Sequence, residues 1–366
     1  MNLKSFVGAI LACVLLASCS EKKSTATVEF IGGSPDAFAI TVADAPPPEE
    51  WVHPTDCRAH IAQIICEVKP QEGWGNPLER TCLGGEQKYQ KSFEDIYDAL
   101  DPINQKMFCS LRRIFIEQEF YATGYASLLR FMKDGQVTAL PGAIMGVRKS
   151  VLEANPSLPQ WASWKEQLNF VAIPEEFTTP LPYPRFDGQK PPSLLLDIVV
   201  HEFGHMLDFA NSINEELFGV KDCMQQDIKS EEDYFEKCKP YAKPGSWTDI
   251  SWIDGRTAKP EKDFLGRSKL CFYNCVNRMD LQTEMVPFYQ GLAQSDFVTS
   301  YAASNYMDDF AEAWAVRWML TTLKGDLSIK ASPTVEVQMQ DIFESQKFKV
   351  KKEYMDKFVQ GEIKYP

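Results

Sequence analysis

Two histidines and a glutamate lie close together in an apolar stretch of the chain, Leu194–Asn211. They form the pattern His201-Glu202-Phe203-Gly204-His205, with the two imidazoles four residues apart. On an α-helix this spacing puts both rings on one face. Two neutral imidazole nitrogens are two of the three protein ligands that a catalytic zinc ion needs. The carboxylate of Glu202 could take a proton from a water molecule that attacks a carbonyl carbon.

The flanking residues favour a helix in a hydrophobic core. Pro191-Pro192-Ser193 supplies a stop and an N-cap, and apolar residues follow at helical spacing. The alternative is a chance match on a buried helix. The chain has only four histidines, so this spacing around a glutamate would rarely arise by chance; they are His53, His60, His201 and His205.

The third ligand should be a carboxylate, because no histidine follows His205 and the two earlier ones lie in a cysteine-rich segment. Metzincins would have Gly and His at the positions of Asp208 and Asn211. Asp208 shares the helix face, but three ligands from one short helix would all leave from the same side. It is better suited to orienting an imidazole through the ring's other nitrogen.

Glu312 is the better candidate for the third ligand. We expect its helix to begin at Ser304 or Asn305, which places Asp308 and Asp309 in the first turn, where acidic residues favour the helix dipole. Asp309 is a second candidate for orienting a ligand. The alternative for Glu312 is an ordinary solvated residue.

The two segments together resemble a known family. His201-Glu-Phe-Gly-His205, followed far downstream by Phe310-Ala-Glu-Ala313, is similar to the gluzincin metallopeptidases, most closely those related to anthrax lethal factor. The resemblance implies a zincin-like fold with one Zn²⁺ per chain. It also implies His201, His205 and Glu312 as ligands, Glu202 as the base, and Tyr301 as the tyrosine that stabilises the reaction intermediate. Tyr306 competes for that role, and core packing is the alternative for Tyr301.

The N-terminus predicts export. Phe6–Ala17 is an apolar run too short to span a membrane and typical of a signal peptide. Leu16-Ala-Ser-Cys19 resembles the bacterial lipobox, which implies acylation of Cys19 and a cell-envelope protein, with the outer membrane favoured. An ordinary cleaved signal is the alternative. The net charge of −13 argues against nucleic acid as a partner.

Ten cysteines are present, and eight remain once Cys13 leaves with the signal and Cys19 is assigned to lipid. An even number in an exported protein predicts disulfide bonds. Proximity favours Cys223–Cys238 and Cys271–Cys275, with a structural zinc site as the rival at the latter. The other four would pair among themselves: Cys57, Cys66, Cys82 and Cys109.

The predicted organisation is α+β. Residues 1–18 are a lipoprotein signal peptide, 19–50 an acylated cysteine and flexible tether, and 51–100 a small, loop-dominated, disulfide-rich segment. Residues 101–366 form a zinc metallopeptidase domain with an insertion at about 212–300. A strand at Gln167–Ile173 is expected to be either the sheet edge along which substrate extends or a plain core strand.

The resulting hypothesis is a zinc-dependent endopeptidase of the bacterial cell envelope, which acts on protein or peptide substrates. A peptidoglycan peptidase or amidase is the first alternative. The second is a zinc-binding envelope lipoprotein without catalytic activity, although binding zinc alone would not require Glu202.

Overall fold

The computed structural model describes residues 26–31, 38–42, 56–69, 81–84, 87–118, 122–133, 136–171, 182–214, 242–272, 275 and 277–366. These residues form a mixed α+β structure around a six-stranded mixed sheet. This agrees with the predicted fold class at the level of α+β with a mixed sheet. Within these ranges no helix is long and apolar enough to cross a membrane.

The six-stranded sheet has the order β2-β1-β5-β6-β4-β3. Strand β4 pairs in parallel with both β3 and β6, whereas β5 pairs antiparallel with β6 and β1, and β1 with β2. The strands are β1 (Ala26–Ile31), β2 (Phe38–Val42), β3 (Ile65–Glu67), β4 (Leu111–Glu117), β5 (Gly124–Lys133) and β6 (Gln136–Arg148).

Two of these strands lie where a flexible tether was predicted. The segments of β1 and β2 are rich in β-branched and aromatic residues, which favour strands. Strand β1 extends the sheet from β5. The predicted tether over 19–50 is therefore wrong for these two segments. Cys19 lies outside the described residues.

The cysteine-rich segment is also more regular than predicted. It contributes β3 and two helices, α1 (Cys57–Ile64) and α2 (Gln87–Ala99), and the apolar face of α2 buries Tyr89, Phe93 and Ile96. An amphipathic helix of this kind needs a core, so the segment belongs to the main domain. The prediction that residues 51–100 are dominated by loops is wrong for the described part of this segment.

Three disulfide bonds confirm the pairing expected for six of the cysteines. Cys57 bonds to Cys109, Cys66 to Cys82, and Cys271 to Cys275, with Cα–Cα distances of 5.2, 5.0 and 5.5 Å. Because Cys271 and Cys275 form a disulfide bond, their sulfur atoms are not available as zinc ligands, and the alternative of a structural zinc site there is wrong. The predicted pair Cys223–Cys238 lies outside the described residues.

The remaining elements follow mostly in the second half of the chain. The helices are α3 (Pro102–Cys109), α4 (Lys149–Ala154), α5 (Leu158–Gln167), α6 (Leu194–Asn211), α7 (Trp247–Ser251), α8 (Met285–Ala293), α9 (Tyr306–Trp318), α10 (Met339–Phe343) and α11 (Lys349–Gln360). Strands β8 (Tyr183–Asp187), β10 (Asp326–Lys330) and β11 (Glu336–Gln338) form a small antiparallel sheet.

The strand expected at Gln167–Ile173 is not part of the main sheet. Among the described residues of this segment, Phe170–Val171 form a strand (β7), which pairs in parallel with β9 (Met279–Asp280). This short ladder joins the segment that follows α5 to the predicted insertion. The strand of the main sheet that packs against α6 is β5.

Helices α6 and α9 have the caps that their sequences predict. The Ser193 hydroxyl accepts a hydrogen bond from the Leu196 N–H, and the Asn305 side chain accepts from the N–H groups of Met307 and Asp308. Helix α9 continues into a π-helical turn at Met319–Leu323 and ends at Lys324, which adopts the left-handed conformation. Both helices therefore begin and end at defined residues.

The two helices approach each other most closely at Gly204. A Cβ atom built on this glycine would lie 2.7 Å from the Cα atom of Ala311, well inside van der Waals contact with backbone. Only glycine permits this separation, because any larger residue would push α9 away from α6. The close contact places the N-terminal half of α9 beside the histidine face of α6.

The predicted insertion contributes to the core. Its described part buries Trp247, Trp252, Phe288 and Phe297 completely, and the ring of Trp247 packs edge-on against Phe310 of α9. Burial of such large aromatic rings stabilises the helix that they cover. This part of the chain therefore supports α9 instead of forming a separate surface loop.

The C-terminal residues also support α6 and α9. The ammonium group of Lys351 is fully buried and bonds both carboxylate oxygens of Asp309, at 2.8 and 2.7 Å. At the end of α6, Asn211 donates to the Lys364 carbonyl and accepts from the Lys364 N–H. The last turn of α6 is thus joined to the end of the chain.

We expect Gly204→Ala to lower the free energy of unfolding by about 1–3 kcal/mol, because the added methyl group overpacks the contact with Ala311. In a helix free of such contacts the same change stabilises by about 1 kcal/mol, since alanine has the higher helix propensity. Urea unfolding of both proteins measures the sign. A stabilised variant would show that the helices are not in close contact.

Candidate metal centre

The two imidazoles of α6 point their Nε2 atoms toward the same point. These atoms lie 3.1 Å apart, and the rings meet edge to face at an interplanar angle of 80°. Both side chains are partly buried, at the surface between α6 and α9. The predicted arrangement of the two histidines on one helix face is therefore present.

The group nearest to both Nε2 atoms is the carboxylate of Asp308. Its Oδ1 atom lies 3.4 Å from each of them. A tetrahedral zinc ion with bonds of about 2.0–2.1 Å separates its ligand atoms by about 3.3 Å. The three separations of 3.1, 3.4 and 3.4 Å therefore match three edges of such a tetrahedron. In chemistry and geometry this donor set fits zinc.

Asp308 is held in this orientation by the cap of its own helix. The side-chain amide of Asn305 donates to Oδ2 of Asp308 at 2.6 Å, while its oxygen accepts the N–H of Asp308 at 3.0 Å. One residue thus begins the helix and directs the remaining carboxylate oxygen toward the imidazoles. The sequence indicated Asn305 only as a possible cap.

Glu312 contacts the opposite side of His201. Its Oε1 atom accepts a hydrogen bond from Nδ1 of His201 at 2.9 Å, and its Oε2 atom accepts one from the Thr299 hydroxyl at 2.6 Å. In the neutral ring this leaves Nε2 of His201 with its lone pair free. In this geometry the carboxylate that lies near both Nε2 atoms is that of Asp308, whereas Glu312, the predicted third ligand, bonds the other side of the His201 ring.

The electrostatics of the cluster favour a cation. Burial opposes ionisation of His201, but its hydrogen bonds with Asp308 and Glu312 raise its pKa to about 10. Burial likewise opposes ionisation of Asp308, yet both imidazoles hold its pKa well below the usual range. A proton or a metal ion would satisfy the same carboxylates, so the two compete for the site.

Glu202 lies beside the cluster as predicted. Its carboxylate is buried, and burial raises its pKa, although the imidazoles of His205 and His201 oppose the shift. The backbone of β5 passes close to it, since a Cβ atom on Gly124 would lie 3.0 Å from its Oε1 atom. A buried carboxylate whose pKa is raised is a stronger proton acceptor than an exposed one.

Asp208 does not orient a histidine. Its two oxygens accept hydrogen bonds from the backbone N–H and the side-chain amide of Asn214, at 2.8 and 2.6 Å. In the part of the chain that the structure describes, Nδ1 of His205 has no hydrogen-bond partner. Asp208 instead fixes the turn that follows α6, because both of its oxygens accept hydrogen bonds from Asn214.

Asp309 is likewise not part of the cluster. It points to the other side of α9, where it accepts hydrogen bonds from Lys351 and from Nε1 of Trp252, the latter at 2.9 Å. Successive residues of a helix lie about 100° apart, so two adjacent aspartates face different surroundings. The prediction that Asp309 orients a metal ligand is wrong, because its carboxylate forms a buried ion pair.

Tyr301 stacks on the candidate centre, and Tyr306 does not. The Tyr301 ring lies 5.8 Å from the His201 ring, at an interplanar angle of 26°. Nζ of Lys165 lies over the Tyr301 ring at 3.4 Å from its centroid. The side chain of Tyr306 is buried in the hydrophobic core. The sequence placed Tyr301 correctly beside the histidines and missed Lys165.

Glu166 holds the loop that carries Thr299 and Tyr301. Its buried carboxylate accepts hydrogen bonds from the Ser300 hydroxyl at 2.5 Å and the Tyr289 hydroxyl at 2.6 Å, and burial raises its pKa. This interaction joins α5, α8 and the loop before α9. No local pattern predicted it, because its three residues are far apart in sequence.

Comparisons with protein-family models, with curated proteins and with solved structures found no match.

The geometry predicts three different outcomes when carboxylates on α9 are made neutral. Asp308→Asn should weaken zinc binding by more than roughly a hundredfold. This loss exceeds the one expected when a residue that only orients a metal ligand is changed. Glu312→Gln should weaken it by roughly ten- to a hundredfold. Asp309→Asn should keep zinc but lower the free energy of unfolding by about 3 kcal/mol, because Lys351 loses its nearest buried carboxylate and keeps only Asp296, whose Oδ1 atom is 4.0 Å away.

Zinc affinity is measured by competition with a chromogenic chelator, and stability by urea unfolding. The neighbouring Asp308 and Asp309 variants serve as controls for each other, since they make the same chemical change one residue apart. A larger loss of zinc in Glu312→Gln than in Asp308→Asn would restore Glu312 as the ligand.

Proposed function

We propose that this chain is a zinc-dependent endopeptidase. The observation that carries the proposal is the match between the tetrahedron expected around zinc and the separations of His201 Nε2, His205 Nε2 and Asp308 Oδ1. The buried carboxylate of Glu202 next to these atoms supports a catalytic role over a purely structural one. A peptidoglycan peptidase or amidase would use the same centre on a different substrate.

His201, His205 and Asp308 would hold the ion, and Glu312 would fix the ring of His201. The ion would supply a bound water molecule with a pKa lowered toward about 7 and a positive charge that polarises the carbonyl group of a peptide bond. Glu202 takes a proton from the attacking water and passes it to the leaving amine. Burial raises the pKa of Glu202, which makes its carboxylate a stronger acceptor for the proton of the attacking water.

Tyr301 would stabilise the negative charge that develops on the carbonyl oxygen. Its ring stacks on His201, the ammonium group of Lys165 lies over the same ring, and Phe272 packs against it edge-on at 4.9 Å. These contacts restrict the ring, so the hydroxyl needs little reorganisation during the reaction. A hydrogen bond that strengthens in the transition state accelerates the chemical step.

The proposed location is the bacterial cell envelope, with the chain attached to the membrane through acylated Cys19. The apolar run before this cysteine and the disulfide bonds of the folded domain support an exported protein. The strongly acidic composition supports a protein or peptide substrate over nucleic acid.

Incubation with two substrates tests the proposed function. The purified protein is mixed with an unfolded protein and, separately, with purified cell wall, each with and without a chelator. We expect chelator-sensitive cleavage of the unfolded protein. Release of peptides from cell wall alone would favour the peptidoglycan alternative, and zinc binding without hydrolysis of either substrate would leave a non-catalytic zinc protein.

Glu202→Gln should keep zinc and lose peptidase activity by at least roughly a thousandfold, because the proton acceptor and its charge disappear together. The amide has the same shape, so the fold and the ligands are preserved. Metal content by atomic absorption and initial rates on an unfolded protein provide the two measurements. Normal turnover by the zinc-loaded variant would refute the assignment of the base.

Tyr301→Phe should lower kcat by roughly ten- to a thousandfold and leave KM and zinc content nearly unchanged, because it removes one hydrogen bond that acts in the transition state. Tyr306→Phe is the matched control, since it removes the same hydroxyl from a core residue near the start of α9. If the control loses activity and Tyr301→Phe does not, the two roles are exchanged.

A further inference from the structure

A disulfide-bonded segment contacts the ring of Tyr301 at the edge of the candidate centre. Phe272, which directly follows Cys271, packs edge-on against Tyr301, with the ring centroids 4.9 Å apart and an interplanar angle of 79°. The side chain of Phe272 is buried, with 6% of its surface exposed. Cys271 is bonded to Cys275, four positions along the chain. The disulfide therefore lies one residue away from a direct neighbour of Tyr301.

Phe272 completes the set of groups that restrict Tyr301. The ring of His201 stacks on Tyr301 with the centroids 5.8 Å apart, and Nζ of Lys165 lies 3.4 Å from the Tyr301 centroid. The same ammonium group lies 5.4 Å from the centroid of Phe272. Phe272 therefore limits the movement of the tyrosine ring and of the cation above it. A hydroxyl group that is held in place before the reaction stabilises developing charge with little reorganisation.

The segment that carries Phe272 is attached at its beginning through Asn169. The N–H of Cys271 donates to Oδ1 of Asn169 at 2.9 Å, and the carbonyl oxygen of this fully buried asparagine accepts the N–H of Met279 at 2.8 Å. Among the described residues Cys275 forms no hydrogen bond, and its disulfide joins it to Cys271. The disulfide therefore supplies the second attachment of the segment.

A reductant in solution has access to this part of the chain. Cys271 and Cys275 are both partly exposed, whereas Cys66 of another disulfide is buried. Thiol–disulfide exchange requires that a thiolate reach one of the two sulfur atoms, so exposure favours reduction of the Cys271–Cys275 bond. The bond takes up two electrons and two protons and becomes two thiols, while a dithiol reductant is oxidised to its disulfide.

Reduction would give the segment more conformations. A disulfide stabilises mainly by excluding alternative conformations of the chain that it closes. Without the bond, Cys271 keeps its hydrogen bond to Asn169, but Cys275 is no longer tied to Cys271. Phe272 would then spend time away from Tyr301, and the tyrosine ring would lose one of its three neighbours.

We propose that the Cys271–Cys275 bond controls the position of Tyr301 through Phe272. When the bond is formed, Phe272 restricts the tyrosine ring. When a dithiol reduces the bond, Phe272 leaves the ring and the activity that depends on the Tyr301 hydroxyl falls. Phe272 is a positioning residue, because it acts through Tyr301. The inference rests on the proposed peptidase function and adds to it a dependence on the redox state of the surroundings.

Fluorine NMR of the full-length protein tests this coupling without requiring hydrolysis or a metal ion. Fluorotyrosine is introduced at position 301 alone, and the zinc-free protein is measured before and after treatment with dithiothreitol. Mass spectrometry of alkylated peptides verifies that Cys271 and Cys275 have become thiols. We expect reduction to shift the fluorine resonance, because the ring of Phe272 no longer lies beside it. An unchanged resonance in the reduced protein would overturn the inference.

A double variant separates this bond from the other disulfides. Cys271→Ala with Cys275→Ala should give the resonance of the reduced protein even under oxidising conditions. Cys57→Ala with Cys109→Ala is the matched control, since it removes the disulfide between α1 and α3 and should leave the resonance at its original position. The same shift in both double variants would indicate a general loosening of the fold and refute the coupling.

Substitution of Phe272 tests its part in the coupling while the disulfide stays intact. Phe272→Ala should shift the fluorine resonance as loss of the disulfide does, because it removes the ring that contacts Tyr301. Phe272→Tyr keeps a ring at this position and should preserve the original resonance. A resonance that is unaffected by Phe272→Ala would show that the bond does not act through this side chain.

Initial rates on an unfolded protein show whether the coupling controls hydrolysis. Cys271→Ala with Cys275→Ala should lower kcat by roughly tenfold and leave KM and zinc content nearly unchanged. In a Tyr301→Phe background the same double change should cause no further loss, because the hydroxyl through which it acts is absent. An equal loss in both backgrounds would refute an action through Tyr301.

The two kinds of measurement distinguish failure of this inference from failure of the proposed function. If the fluorine resonance responds to the bond but no peptide is cleaved, the proposed function fails and the control of the Tyr301 position stands. If peptides are cleaved and the variant without the Cys271–Cys275 bond turns over at the original rate, the proposed function stands and the redox control is overturned.

Discussion

The close contact between Gly204 and Ala311 is the constraint on which the candidate centre depends. It brings the backbones of α6 and α9 nearer than any residue with a side chain would permit. At this distance Asp308 reaches the Nε2 atoms of both histidines, and Glu312, one turn later, reaches Nδ1 of His201. A wider spacing would leave both carboxylates without these partners. The hydrogen bonds from Asn305 and Thr299 then fix the two carboxylates in place.

Charge balance explains much of what surrounds this contact. Glu202, Asp308 and Glu312 bring buried negative charge to two imidazoles, and the nearby ammonium group of Lys165 favours the ionised form of Glu312 against the effect of its burial. Lys165 forms no salt bridge with a described residue and lies over aromatic rings instead. Its charge offsets the carboxylates without occupying the space between the imidazoles, which stays open to a small cation. Lys351 performs the separate task of neutralising Asp309 on the opposite side of α9.

Local features were predictable from sequence, and those set by distant contacts were not. The cap of α6, the shared face of its histidines and the start of α9 depend on residues a few positions apart. Asp308 and Glu312 are four apart and share one helix face, so the sequence cannot show which of them meets Nε2 and which meets Nδ1. That choice depends on how α9 lies along α6. The strands at Ala26–Ile31 and Phe38–Val42 and the carboxylate of Glu166 likewise depend on partners far away in sequence.

The attachments of the C-terminal residues determine when, during biosynthesis, the centre can be completed. Asn211 at the end of α6 bonds to Lys364, and Asp309 on α9 is neutralised by Lys351. Lys364 follows Asn211 by 153 residues and Lys351 follows Asp309 by 42, so translation supplies both lysines only after the two helices have been made. Until then, α9 would have to bury an uncompensated carboxylate, which is costly. The candidate centre between the two helices is therefore completed only after Lys351 and Lys364 have left the ribosome.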